Sequence, residues 1–259
     1  MREREIRLEK LTRREFREAL AAEQYRVAIL PTGSIEQHLE HLALEQDIAS
    51  STYVAERVAE RLYPNVIVAV PMAIGIAEHH MAFAGTLSAR PGSWLAVLFD
   101  AVESLVRHGV RKVVILNGHG GNVALLRSTL RQWELYFLHA YGEKPDVGDT
   151  LPSLSHGAHN QLMREETEQP AVDLRSLSYW DLIPKEFAEE VLDTGRMPGH
   201  AQEFETAAAM YAFPENVRPE AMAYDAVPDS AKATREKGRV LIEKAIEGGI
   251  ALVQEMLDA

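Results

Sequence analysis

"RKVVILNGHGGN", Arg111 to Asn122, passes without a break from a β-branched apolar run into a glycine turn that carries one histidine. A run such as Val113–Leu116, with no polar alternation, reads as a strand buried on both faces, the habit of parallel sheets covered by helices. Helix-period residues follow from Val123 to His139, which completes a strand–turn–helix unit. The same grammar recurs upstream. "YRVAILP" (Tyr25–Pro31) is an apolar run closed by proline, and Asp47–Tyr63 then places Ile48, Ser51, Val54, Ala55, Val58, Ala59 and Leu62 on one helical side. "NVIVAVP" (Asn65–Pro71) reads as a second buried strand, ahead of an amphipathic helix over Ser93–His108. Before them, Leu11–Ala22 reads as a helix with Thr12 at its N-cap and Phe16, Ala19 and Leu20 on its apolar face. Further on, Tyr141–Ser155 reads as a loop, "VDLRSLSYWDL" (Val172–Leu182) holds a short strand, and Ala201–Ala212 and Ala231–Leu257 are helical. Trp94, Trp133 and the tyrosines on helical faces are expected in the core. Strands alternating with helices predict a parallel α/β sheet covered on both faces. No boundary interrupts it, so residues 1–259 are expected to form one domain.

Composition narrows the chemistry. The 259 residues carry a net charge of −12, which argues against nucleic acid or an anionic membrane as partner, since both need clustered Lys and Arg. There is no cysteine, so disulfides, iron–sulfur clusters and thiolate zinc sites are excluded. A metal here would be held by imidazole and carboxylate, which suits Zn, Mn or Fe. "MREREIRLEKLTRREFREAL" is charged throughout, unlike a signal peptide, and no apolar run reaches membrane-span length. A cytoplasmic location is expected.

Each strand is followed by unusual polar chemistry. After the first come Glu36, His38 and Asp47; after the second, His79, His80 and Thr86; after the third, His119 between Asn117 and Asn122. In an open parallel sheet these loops all leave the carboxyl edge, where ligands bind. Residues over 80 apart in sequence would then meet in one crevice. Taken singly, each has a plainer explanation. Glu36 and His38 could face one ion or line a surface loop. Asp47 could bridge two cations or cap the next helix. The turn around His119 could cradle a phosphate, but no Lys or Arg lies in it, which favours the imidazole as a metal ligand. In "GHAQEFET" (Gly199–Thr206), Glu203 and Glu205 could simply complement the helix dipole, beside His200. His156 and His159 form a further pair on a stretch with no clear pattern.

"PTGSIEQHLEHLALEQD" resembles the P-x-G-S-x-E-Q-H-G-P-H-L-P-L-x-x-D signature of the creatininase (creatinine amidohydrolase) family. "HHMAFAGTLS", "LNGHGGN" and "GHAQEFETA" resemble three further motifs of that family, in the same order. The resemblance implies a three-layer α/β/α sandwich with a mostly parallel central sheet and two divalent metal ions (Zn, Mn or Fe). It also implies a small-molecule substrate and a homo-oligomer, often a hexamer. Carried over by position, Glu36, His38, Asp47, His119 and Glu205 are implied as metal ligands, with Asp47 as the bridge. His200 is implied as the catalytic proton donor, and His80, His41, Thr86, Asn117 and Asn122 as substrate-binding or supporting residues. The expected reaction is hydrolysis of a cyclic amide or related C–N bond by a metal-bound hydroxide, with His200 protonating the leaving nitrogen. The alternatives are a lactone or cyclic-ketone hydrolase using the same metals, or a non-catalytic metal-binding α/β protein.

The departures from the motifs point away from creatinine. Leu39-Glu40 stands for Gly-Pro, Ala43 and Ala84 for prolines, Glu45-Gln46 for Gly-Thr, Gln202 for Gly and Ala207 for Ser. Gly120-Gly121 replaces the aromatic residue and glutamate that creatininase carries after its third-motif histidine.

Overall fold

A computed structural model of the chain describes residues 4–142, 172–224 and 228–259. Four strands, β1 (Val27–Thr32), β2 (Val66–Val68), β3 (Lys112–Asn117) and β4 (Asp173–Ser178), form one wholly parallel sheet in the order β2-β1-β3-β4. Among the described residues seven α-helices surround it: α1 (Arg13–Ala21), α2 (Gln46–Arg61), α3 (Pro91–Arg107), α4 (Val123–Tyr141), α5 (Lys185–Val191), α6 (Glu203–Ala212) and α7 (Arg235–Asp258).

The period-2 geometry of a strand divides the core into two layers. Val27 and Ile29 of β1, with Val114 and Leu116 of β3, face α2, α5, α6 and α7. Ala28 and Leu30, with Val113 and Ile115, face α3 and α4 and the apolar side of α1. Trp94 and Trp133 are buried in that second layer, as expected. Truncating a fully buried member such as Leu98 to Ala would cost about 2–5 kcal/mol. Among the described residues no helix is long and apolar enough to cross a membrane.

The elements follow the sequence with physical adjustments. Thr12 caps α1 in a reciprocal box with Glu15. The second strand shrinks to Val66–Val68; it lies at the sheet edge, and Pro71 beyond it has no N–H for a ladder. Helix α6 starts at Glu203 rather than Ala201, because Ala201 adopts a left-handed φ of 51°. Helix α7 starts at Arg235 behind Thr234, whose hydroxyl accepts the Lys237 N–H. Helix α5 lies in a stretch with no readable periodicity. Most of the expected loop Tyr141–Ser155, and both His156 and His159, fall outside the described residues.

Strand order places the site. The chain leaves β1 into α2 on one face of the sheet and leaves β3 into α4 on the other. The two loops diverge between adjacent strands, and such a switch point opens a crevice at the carboxyl edge. It is flanked by residues 33–45 and by the turn 118–122.

Candidate metal centre

The loop after β1 folds back on itself through the Glu36 N–H to Leu44 C=O bond and a bridge between His38 and Leu42. Leu39 at its tip keeps a φ of 54°, a left-handed conformation costing a non-glycine residue roughly 1–2 kcal/mol. Glu36 and His38 are buried beneath it. Asp47 is the second residue of α2, two positions past the N-cap Glu45, so it does not cap the helix. Its carboxylate instead stands between two histidines: Oδ1 is 3.1 Å from His38 Nε2 and Oδ2 is 2.8 Å from His119 Nδ1. The approach of α2 to the third-motif turn is close. A Cβ on Gly118 would lie 2.0 Å from the Asp47 carbonyl oxygen, which is why a glycine stands there.

Each of these histidines spends one N–H on the backbone. His38 Nδ1 donates to the Glu36 carbonyl at 3.1 Å, and His119 Nε2 donates to the Ile76 carbonyl at 3.0 Å. The opposite nitrogens therefore turn lone pairs toward carboxylates, the arrangement that orients metal-ligating imidazoles. His119 Nδ1 also lies 3.3 Å from Glu36 Oε1. Glu205, in the first turn of α6, accepts the Ala201 N–H at 2.6 Å and sets Oε2 3.7 Å from His38 Nε2. Glu203 points elsewhere: it accepts the Asp193 and Thr194 N–H groups and pairs with Lys237 at 2.5 Å.

The electrostatics call for cations. Burial alone would lower His38 and His119, but Asp47, with Glu205 beside the first and Glu36 beside the second, carries them to about 9 and about 10. Burial would raise Asp47, yet the two histidines hold its carboxyl well below the usual range. Burial lifts Glu205 to about 8, with the charges of Asp47 and Glu36 adding to it against the pull of His38. Without metal, protons fill the gaps between lone pairs. Glu36 Oε2 is buried with no hydrogen-bond partner, and His38 Nε2 and Asp47 Oδ2 are buried facing other ionisable atoms of the cluster. Three carboxylates converging out of water are costly unless paired, so the donor set fits divalent cations. It does not fit a phosphate, which the same carboxylates would repel.

Among the described residues, ligand atoms fall into three overlapping sets, each within 4.8 Å: Glu36, His79 and His119; His38, Asp47 and Glu205; and Glu36, His38 and His200. They open on a cavity of about 310 Å³ whose lining includes His79, His80, Gly120, Gly121, Trp180 and His200. Burial, then the charges of His38 and His80, hold His200 down at about 3, so it is a neutral imidazole. A larger groove of about 550 Å³, lined by Tyr53, Arg57 and Phe213 among others, contains none of these sets.

Of the supporting residues expected from sequence, only His80 lines the cavity. His41 binds Thr206 Oγ1 at 2.8 Å and ties the β1 loop to α6. Thr86 accepts the Gln37 N–H. Asn117 joins Thr32, His119, Asn122 and Ser178, while Asn122 fastens Gly33 and Ile76. Trp180 and Gln37 escaped the sequence reading. Trp180 had the available signal of following a strand at the carboxyl edge, and Gln37 that of standing between two expected ligands.

A family model described as creatininase, creatinine amidohydrolase, matches residues 9–232. The mycofactocin precursor peptide peptidase of Mycobacterium ulcerans (strain Agy99) is 37% identical over 111 residues, 40% of this chain and 44% of that protein. The alignment thus spans less than half the length of that relative. The creatinine amidohydrolase of Pseudomonas putida is 24% identical over 278 residues, 95% of each chain. The solved structure described as "Creatininase Mn" superimposes with a TM-score of 0.75 at 24% identity, over 97% of this chain and 98% of that one.

Proposed function

The chain belongs to the creatininase family, and on that footing we propose that it is a two-metal amidohydrolase cleaving the C–N bond of a small amide other than creatinine. The observation that carries the reading is the Asp47 carboxylate, split between His38 on one oxygen and His119 on the other. In this reading Glu36, His119 and Asp47 would hold one divalent ion, and His38, Glu205 and Asp47 the other. Such ions, when bound, polarise a carbonyl and lower the pKa of water.

The chain's own residues do the rest. Glu36, Asp47 and Glu205, all buried at the base of the cavity, would neutralise the cations. The Glu36 and Ile76 carbonyls keep His38 and His119 in the tautomers that present lone pairs. His200, half-buried at the cavity wall with Nδ1 3.6 Å from Glu36 Oε1, is placed to donate a hydrogen bond to the departing nitrogen, whose proton comes from the attacking water. The cavity volume sits at the small end for ligand sites, which suits a compact ring or a peptide terminus.

Creatinine is disfavoured by the third motif. Gly120 and Gly121 stand where creatininase has an aromatic residue and a glutamate, and a Cβ at Gly121 would lie 2.2 Å from the Ile76 oxygen. Glu205 serves as the acid on the His38 side instead. The choice among Zn, Mn and Fe, a homo-oligomeric assembly and a cytoplasmic setting belong to the same proposal.

Elemental analysis of the purified protein tests it, together with an assay on cyclic amides, creatinine and short peptides. Two equivalents of metal and turnover of a non-creatinine amide are expected, with both lost in Asp47→Ala and His119→Ala. Stoichiometric metal in both variants would overturn the ligand assignment.

A further inference from the structure

Gln37 lies between Glu36 and His38 in the chain, half-buried, and its side chain meets the ion sets only through His200. Its backbone N–H is fixed on Thr86 Oγ1 at 3.1 Å. Its side chain makes three polar contacts: Oε1 to the Leu39 N–H at 3.0 Å, and Nε2 to His80 Nδ1 and His200 Nε2 at 2.9 Å each. The first contact fixes the amide orientation, because a backbone N–H can only donate and so must meet the oxygen. The left-handed turn at Leu39 is what aims that N–H back at Gln37. The other arm is then an NH2 group with two hydrogens, and two ring nitrogens receive them.

A nitrogen that accepts must carry a lone pair, so both rings are neutral and their protons sit on the far nitrogens. These are Nδ1 of His200 and Nε2 of His80, the atoms that lie 3.6 and 4.0 Å from Glu36 Oε1. The two rings stack at 4.6 Å between centroids, which leaves neither room to flip alone. We propose that Gln37 is a positioning residue that sets the tautomers of His200 and His80, so that both present N–H bonds to the carboxylate side of the cavity. For His200 this is the tautomer that free histidine favours less, so it needs a partner to hold it.

Two consequences follow. A ligand nitrogen must offer its lone pair, so His200 Nδ1 is removed from the Glu36–His38–His200 donor set and faces the cavity as a hydrogen-bond donor. The Leu39-Glu40 departure from Gly-Pro also keeps the feature it needs, a backbone N–H in a left-handed turn. The proposed amide hydrolysis enters only in what the His200 proton is used for; the tautomer stands or falls without it.

Long-range 1H–15N spectra of the histidine rings test the inference directly, on the full chain in metal-free and zinc-loaded forms. Wild type is expected to show His200 protonated at Nδ1 with a pyridine-type Nε2, and His80 the reverse. Gln37→Glu, which replaces the donor by an acceptor of the same shape, is expected to move the protons to His200 Nε2 and His80 Nδ1. Gln37→Met is expected to return His200 to the tautomer mixture of free histidine. A wild-type His200 with a protonated Nε2 in either form would overturn the proposal, as would wild-type patterns in both variants. The readout is independent of turnover, so failure of the amidohydrolase reading would leave it standing.

Discussion

Adding one methyl group to the third-motif turn separates the tertiary argument from the local one. In Gly118→Ala the new Cβ would lie 2.0 Å from the Asp47 carbonyl oxygen and 2.9 Å from its carbonyl carbon, the first well over 1 Å short of ordinary contact at 3.4 Å. The obstacle is helix backbone, which cannot rotate away as a side chain could. Either α2 retreats from β3 or the turn moves, and both carry Asp47 away from His119. Forced overpacking of this kind costs about 1–3 kcal/mol. At roughly 2–4 °C per kcal/mol for a chain of this size, the melting temperature should fall by about 2–12 °C. A misplacement near 1 Å is also enough to cost on the order of 10²-fold in turnover. Gly120→Ala is the matched control: nothing lies within 4 Å of its Cβ, and its backbone φ is ordinary. It should be neutral or gain up to about 1 kcal/mol through a stiffer unfolded chain. Thermal unfolding and metal content of the two variants, measured side by side, decide the matter. Equal stability and equal metal content in both would refute the claim that helix–turn contact positions Asp47.

Gly121→Glu restores the acid that creatininase carries at this place, but its Cβ would lie 2.4 Å from His119 Nε2, across the bond to Ile76. Loss of that support should weaken metal binding tenfold to a hundredfold by chelator competition, without creatinine hydrolysis appearing, and wild-type affinity would contradict it. Lys237→Met strips the buried Glu203 of its cation and should cost about 3–5 kcal/mol in urea unfolding at pH 7. Burial would raise the Glu203 carboxyl, yet Lys237 and the Thr194 and Asp193 N–H groups hold it below its usual value. Its contribution is therefore present above the unfolded pKa of about 4.3 and fades as pH falls through the folded value, so the penalty of Lys237→Met should shrink in acid. An undiminished penalty there would count against the pairing.

The alternation of apolar runs and helix-period segments was enough to declare a parallel sheet covered on both faces, because burial on each side leaves no polar residue in a strand such as Val113–Leu116. The same reading put Glu36, Asp47 and His119 near strand ends, since chain order and parallel direction send every such loop to one edge. It could not rank them further. Glu203 and Glu205 look alike at the head of one helix, yet two residues turn a helix by about 200°, so one acid faces α7 and the other His38. Asp47 reads equally well as a cap or a bridge, and only the depth of α2 against Gly118 turns its two oxygens to two different histidines. His38 and His41, three apart, part company in the same way: one ring joins the carboxylates, the other fastens a loop to Thr206. Residue types and strand order are local and survive in the sequence. Which atom of which side chain meets which partner depends on helix depth and on hydrogen bonds between distant segments, such as that from His41 to Thr206, 165 residues on, and those exist only once the chain has packed.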